Sequence, residues 1–181
     1  MKNESVSPEK STRKRPPIKA GILLAALEFV IGAALLLTMV LVLGNQVNRN
    51  LHAGELAEAA FSAMANADQC REAEAWELRK YYGIAEEDVE EFALRLPVSN
   101  MDAAELCVVK CASDQSAQTV AAAMQKRLDS QIGLFENYGV EQMKLLRAAR
   151  IVTAGPYAAL IIDEKASDAE AALKKIVKKK P

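Results

Sequence analysis

The residues of this chain with chemistry to offer are three cysteines, one histidine, a run of carboxylates and a C-terminal lysine cluster. Because His52 is the only histidine, a histidine-rich metal site is excluded, and any Cys–His nucleophile pair would rest on that single residue. Cys107 and Cys111 stand four positions apart. On an extended strand about 13 Å separates them at ~3.3 Å per residue, beyond the ~7 Å limit for a disulfide. They therefore do not pair with each other if the segment is a strand. Buried, each behaves as a small hydrophobe; a bridge from Cys70 to one of them is the alternative in an oxidising location. The acidic run Glu86, Glu87, Asp88, Glu90 and Glu91 lacks the turn glycine and ligand spacing of a calcium loop, so it reads as a solvated face. There is no glycine-rich phosphate loop and no G-x-S-x-G elbow. No two carboxylates have a reason to share a site. These residues point away from an enzyme, and no catalytic group, cofactor or metal is expected.

What remains is binding chemistry. Lys174, Lys175, Lys178, Lys179 and Lys180 form a basic cluster. It reads either as favourable charge at a helix C-terminus or as a contact for an anionic surface, such as lipid headgroups or a cell-wall polymer. The polar face around Arg127, Gln131 and Tyr138 in a long helical pattern is the candidate binding surface, with core packing as the alternative for Tyr138. Glu28 lies inside an apolar run, where a carboxylate is costly. It reads as a contact with a partner helix or as a side chain near the interface. A pilin-like role fits poorly, since Glu28 is seventh after Gly21 rather than fifth after a processed glycine.

The elements that must position these residues follow from composition. The chain has 181 residues, 51% apolar and 26% charged, with a mean hydropathy of −0.01. That average hides two materials. From Ala20 to Leu43 only Gly21, Glu28, Gly32 and Thr38 interrupt the apolar residues, a length suited to a transmembrane helix. Lys10, Arg13, Lys14, Arg15 and Lys19 precede it, which predicts a cytoplasmic N-terminus and an outer C-terminal part. Val42-Leu43-Gly44 is a poor cleavage site, so an uncleaved signal anchor is preferred over a signal peptide. Residues 1–19 read as a disordered basic leader, 20–44 as the anchor, 45–83 as a helical stalk and 84–181 as an extracytoplasmic domain. The outer part carries 17 basic against 21 acidic residues, which argues against nucleic acid as a partner.

Within the outer part, Leu56, Ala60, Met64 and Ala67 recur at helical spacing, and a second helix over residues 72–82 ends at Gly83. Phe92, Leu94 and Leu96 alternate as a strand should, and residues 105–111 read as a second strand, apolar on both faces in its middle. Asp114 is a candidate cap for a long helix whose stripe runs from Ala117 through Phe135 to Tyr138, ended by Gly139. Residues 150–153 and 157–162 read as two more strands, and Ser167 with Glu170 as a capping box for a last helix. The expected fold is α+β: an N-terminal transmembrane helix, a helical stalk, and a ββαββα domain with a four-stranded antiparallel sheet and helices on one face.

The stretches Tyr82-Gly83-Ile84, Ala104 to Lys110, Gln131…Phe135-x-x-Tyr138…Gln142 and Gly155-x-Tyr157 resemble the bacterial domain-of-unknown-function family 4358, over roughly residues 56–177. The resemblance implies an extracytoplasmic, membrane-anchored or lipoprotein setting and supplies no activity. Taken together, the expectation is a single-pass, non-enzymatic binding or interaction module at the bacterial cell envelope. Its partners would be the bilayer and another envelope protein or a cell-wall polymer. A ring- or pilin-like structural subunit associating through its transmembrane helix is the alternative, and an uncharacterised hydrolase the second alternative.

Overall fold

The computed structural model describes residues 18–44, 47–137 and 139–178. The chain divides into two compact units, Met1–Asn45 and Gln46–Pro181. In the first, helix α1 runs from Ile18 to Gly44. The side chains described on it, residues 25–39, are exposed, and Thr38 donates its hydroxyl to the Leu35 carbonyl at 2.8 Å. Among the described residues no helix is long and apolar enough to cross a membrane. The expected transmembrane helix, and the single-pass location with an inside N-terminus built on it, are corrected on that ground. The leader residues 1–17 lie outside the described residues.

The second unit is α+β. Its sheet has five strands, not four: β1 (Cys70–Glu72), β2 (Glu91–Pro97), β3 (Glu105–Lys110), β4 (Arg150–Ala154) and β5 (Tyr157–Ile162), in the order β1-β2-β3-β5-β4. Every neighbouring pair is antiparallel. The fifth strand, β1, escapes a pattern search because its three residues, Cys-Arg-Glu, are too few to alternate. It is an edge strand, paired only to β2.

Helices cover both faces of the sheet, against the expected one. Side chains alternate along a strand, so β3 sends Cys107 and Val109 into one core and Leu106 and Val108 into the other. All six residues of β5 are buried. Two apolar faces demand two covers, since each buried aliphatic side chain is worth about 1.5–3 kcal/mol only when water is excluded from it. On one face lie α3 (Ala75–Tyr82), α4 (Asp114–Phe135) and α5 (Val140–Ala148), contributing Leu78, Met124 and Leu146 among others. On the opposite face lie α2 (Ala53–Phe61) and α6 (Ala166–Val177), contributing Leu56 and Leu173. The expected stalk is therefore part of the folded body: Ala53, Leu56, Ala57 and Ala60 of α2 are buried.

The long helix is capped by Ser113, whose Oγ accepts from the Ser116 N–H at 3.0 Å, one position before the expected Asp114. It stops at Phe135, and α5 follows after Gly139. The Ser167–Glu170 box does not form; α6 starts at Ala166 without a side-chain cap. Instead Glu170 pairs with Lys174 and Arg150. The β4–β5 turn is a two-residue hairpin loop with Gly155 at φ 57°, a left-handed conformation that glycine adopts freely. Tyr157 then ties the entering chain to the sheet: its hydroxyl accepts from the Leu51 N–H and donates to the Leu51 carbonyl, each at 3.0 Å.

Candidate binding groove

Glu105 opens β3 with the same parity as Cys107 and Val109, so it faces α3 and α4 and is fully buried. A buried carboxylate needs a full set of partners. Arg127 of α4 supplies a two-pronged contact, Nε to Oε1 at 3.1 Å and Nη2 to Oε2 at 2.7 Å. The buried Tyr82 hydroxyl donates to Oε1 as well. Burial, then the neighbouring Glu105 charge, pushes the Tyr82 phenol well above its usual range. The Arg127 guanidinium lies 4.7 Å from the Tyr81 ring centroid, within cation–π range. One helical turn on, the Gln131 amide, oriented by its hydrogen bonding, accepts from Arg127 Nη2 at 3.1 Å.

A second pair stands beside this network. Arg71 of β1 forks onto Glu77 of α3, with contacts of 2.7 and 3.0 Å. Glu77 also accepts from the Glu74 N–H at 3.1 Å and so caps its own helix. The Arg71 hydrogen bond holds the Glu77 carboxyl below its usual range, against burial.

Over these residues opens a cavity of about 320 Å³, walled by Arg71, Tyr81, Asp102, Arg127, Gln131 and Leu134 among others. A second cavity of about 360 Å³ adjoins it through Asp102 and is walled by Asn66, Gln69, Glu141, Gln142, Lys144 and Glu164 among others. Both lie at the end of the sheet where β2 finishes and β3 begins. The loop 62–69 is held there by Asp163, a buried residue that follows β5. Its carboxylate accepts from the N–H groups of Ala65, Asn66 and Lys165 at 2.7–2.8 Å. Asn66 Oδ1 is buried in the wall without a hydrogen-bond partner.

Exposed apolar side chains stand in or near the walling segments of this groove. Five large hydrophobic side chains of the second unit are exposed among the described residues: Trp76, Val98, Met101, Leu134 and Val140. Val98 and Met101 sit on the loop that carries Asn100 and Asp102. Leu134 lines the first cavity itself, and Val140 precedes Glu141 and Gln142 of the second.

The structure brings two of the sequence-derived site residues together here, Arg127 and Gln131, while Tyr138 lies outside the described residues. Of the lysine cluster, Lys174 pairs with Glu170 and Lys175 and Lys178 lie at the end of α6, none of the three lining the groove; Lys179 and Lys180 are outside the described residues. Glu28 lines a shallow apolar groove on α1 with Ala25, Phe29, Gly32 and Ala33 among others. The acidic run is not wholly solvated, because Glu91 accepts from the Ala53 N–H at 2.9 Å and pairs with His52. That backbone bond, helped by His52, lowers its carboxyl against burial.

All three cysteines are free. Burial, with the charges of Asp163 and Glu105, lifts the Cys70 thiol to about 11, so it is protonated at neutral pH and a weak nucleophile. Burial raises Cys107 and Cys111 too. Among the described residues no cluster of three His, Cys, Asp or Glu could hold a metal. Sequence reading missed Asp102, Asn66 and the Glu105–Tyr82 partners. Only Glu105 left a signal, as an acid on the core-facing parity of an apolar strand.

Comparison with known proteins gives one match. A family model described as "Domain of unknown function (DUF4358)" covers residues 63–163, which takes in every wall residue of both cavities named above except Glu164. No curated protein and no solved structure matches the chain significantly.

Proposed function

The chain belongs to the DUF4358 family of domains of unknown function, and from that premise we propose that its second unit is a non-enzymatic module that binds a segment of another protein in the groove at the end of the sheet. One observation carries this reading: two cavities with mixed polar and apolar walls share Asp102, Leu134 is an exposed large hydrophobic side chain in one wall, and three more, Val98, Met101 and Val140, stand on the segments that supply wall residues. Exposed large apolar side chains close to concave surface with polar groups are a mark of binding surfaces. The titratable groups nearby support binding over catalysis. Glu105, Glu77 and Asp163 are each committed to structural partners, and the Cys70 thiol is held protonated.

The test places a photo-cross-linking amino acid at Met101, at Leu134 and, as a control, at Thr153 on the exposed edge strand β4. The reading expects the same discrete adduct from positions 101 and 134 and none from 153. Equal labelling at 153, or no adduct from 101 and 134, overturns it.

A further inference from the structure

We infer that the groove is built for an extended basic peptide segment, one that sets apolar side chains on the rim and a lysine or arginine against Asp102 and Glu164; this rests on the binding reading above. Charge complementarity selects the guest. Each cation bordering the groove is already matched by a carboxylate. Arg71 is held by Glu77, Arg127 by Glu105, and Lys144 by both oxygens of Glu141 at 2.8 and 2.9 Å. Asp102 and Glu164 make no ion pair among the described residues. Among the residues lining the two cavities there are thus two unmatched negative charges and no unmatched positive one. An acidic guest would meet Asp102 whichever cavity it entered, because that residue belongs to both. Like charges brought together at an interface are strongly disfavoured, and opposite ones speed and orient docking.

The shape favours a chain over a small cation. The two cavities share Asp102, and exposed apolar side chains stand in or next to their walling segments: Leu134 in one wall at the end of α4, Val98 and Met101 on the loop that carries Asp102, and Val140 at the start of α5. An extended peptide places successive side chains on opposite sides at ~3.3 Å per residue. It can thus lay apolar groups on the rim while a cationic one points to the acids.

Three labelled peptides test this on the full chain by fluorescence anisotropy: Leu-Lys-Leu-Lys-Leu with blocked ends, and its counterparts with glutamate or serine in place of lysine. The expected result is saturable binding of the lysine peptide at least tenfold tighter than either counterpart. The preference should weaken as salt rises and vanish in the Asp102→Asn/Glu164→Gln double variant, which removes only unpaired carboxylates. Equal binding of the serine or glutamate peptide overturns the charge inference and leaves the binding module standing. A preference that survives the double variant overturns the assignment to these two residues. If none of the peptides binds, the inference fails, and the adduct pattern at positions 101, 134 and 153 decides the module itself separately.

Discussion

Arg127 and Glu105, 22 positions apart in the chain, meet as a buried fork, with Nη2 2.7 Å from Oε2 and Nε 3.1 Å from Oε1. The contact joins the middle of α4 to the first residue of β3, under the floor of the candidate groove. Its partners are Tyr82 and Tyr81 of α3, so one guanidinium couples a strand and two helices.

Removing Arg127 leaves the Glu105 carboxylate buried without its counter-charge. Arg127→Ala is expected to cost about 3–5 kcal/mol, the usual loss when one partner of a buried pair is deleted, read as a lower urea midpoint at unchanged slope. The paired change Arg127→Met with Glu105→Gln should cost less than Arg127→Ala alone, because it leaves no charge to desolvate. A loss under 1 kcal/mol for Arg127→Ala would mean that water reaches Glu105 and that the network is not the keystone of this end of the domain.

The pH dependence of stability has a defined sign. Glu77 and Glu91 have carboxyls held below the ordinary range. Each therefore stabilises the fold fully above the unfolded carboxylate value of about 4.3, and that contribution is lost as pH falls through the folded values. Melting temperature should fall on acidification below about pH 4. Glu77→Gln should lower stability at pH 7 and flatten that acid limb; an unchanged limb in the variant would remove Glu77 from the account.

Asp163 fixes the loop that carries Asn66. Its carboxylate accepts three backbone N–H groups, and hydrogen bonds to a charged group are worth about 1.5–3 kcal/mol each. Asp163→Ala is expected to destabilise by at least 2 kcal/mol. It should also speed hydrogen exchange at Ala65 and Asn66 before the sheet amides are affected. Uniform loss of protection across the unit would show instead that the loop and the sheet open together.

Much of the secondary structure was legible because local patterning encodes it. The alternation Phe92, Leu94, Leu96 matches β2, and the stripe from Ala117 to Phe135 matches α4. Errors arose where a segment's partner lies far away in sequence. Three residues of β1 hold no periodic signal, and only the free edge of β2 makes them a strand. The apolar stripe of residues 53–60 fits a stalk as well as a core helix; its packing against α6 is a contact across more than 100 positions. The site was half legible. Arg127 and Gln131, four apart on one helix, could be paired by spacing. Asp102, Asn66 and Glu164 come from three separate loops, and no periodicity links them.

By itself, then, the sequence determined the family, the α+β class and the faces of its longer elements, because side-chain period and turn chemistry act between near neighbours. Only the tertiary structure decided that helices cover both faces of the sheet, that a fifth strand extends its edge, and that two cavities share Asp102. Each of those depends on which distant segments exclude water from one another, and burial energy sums over neighbours in space, not along the chain.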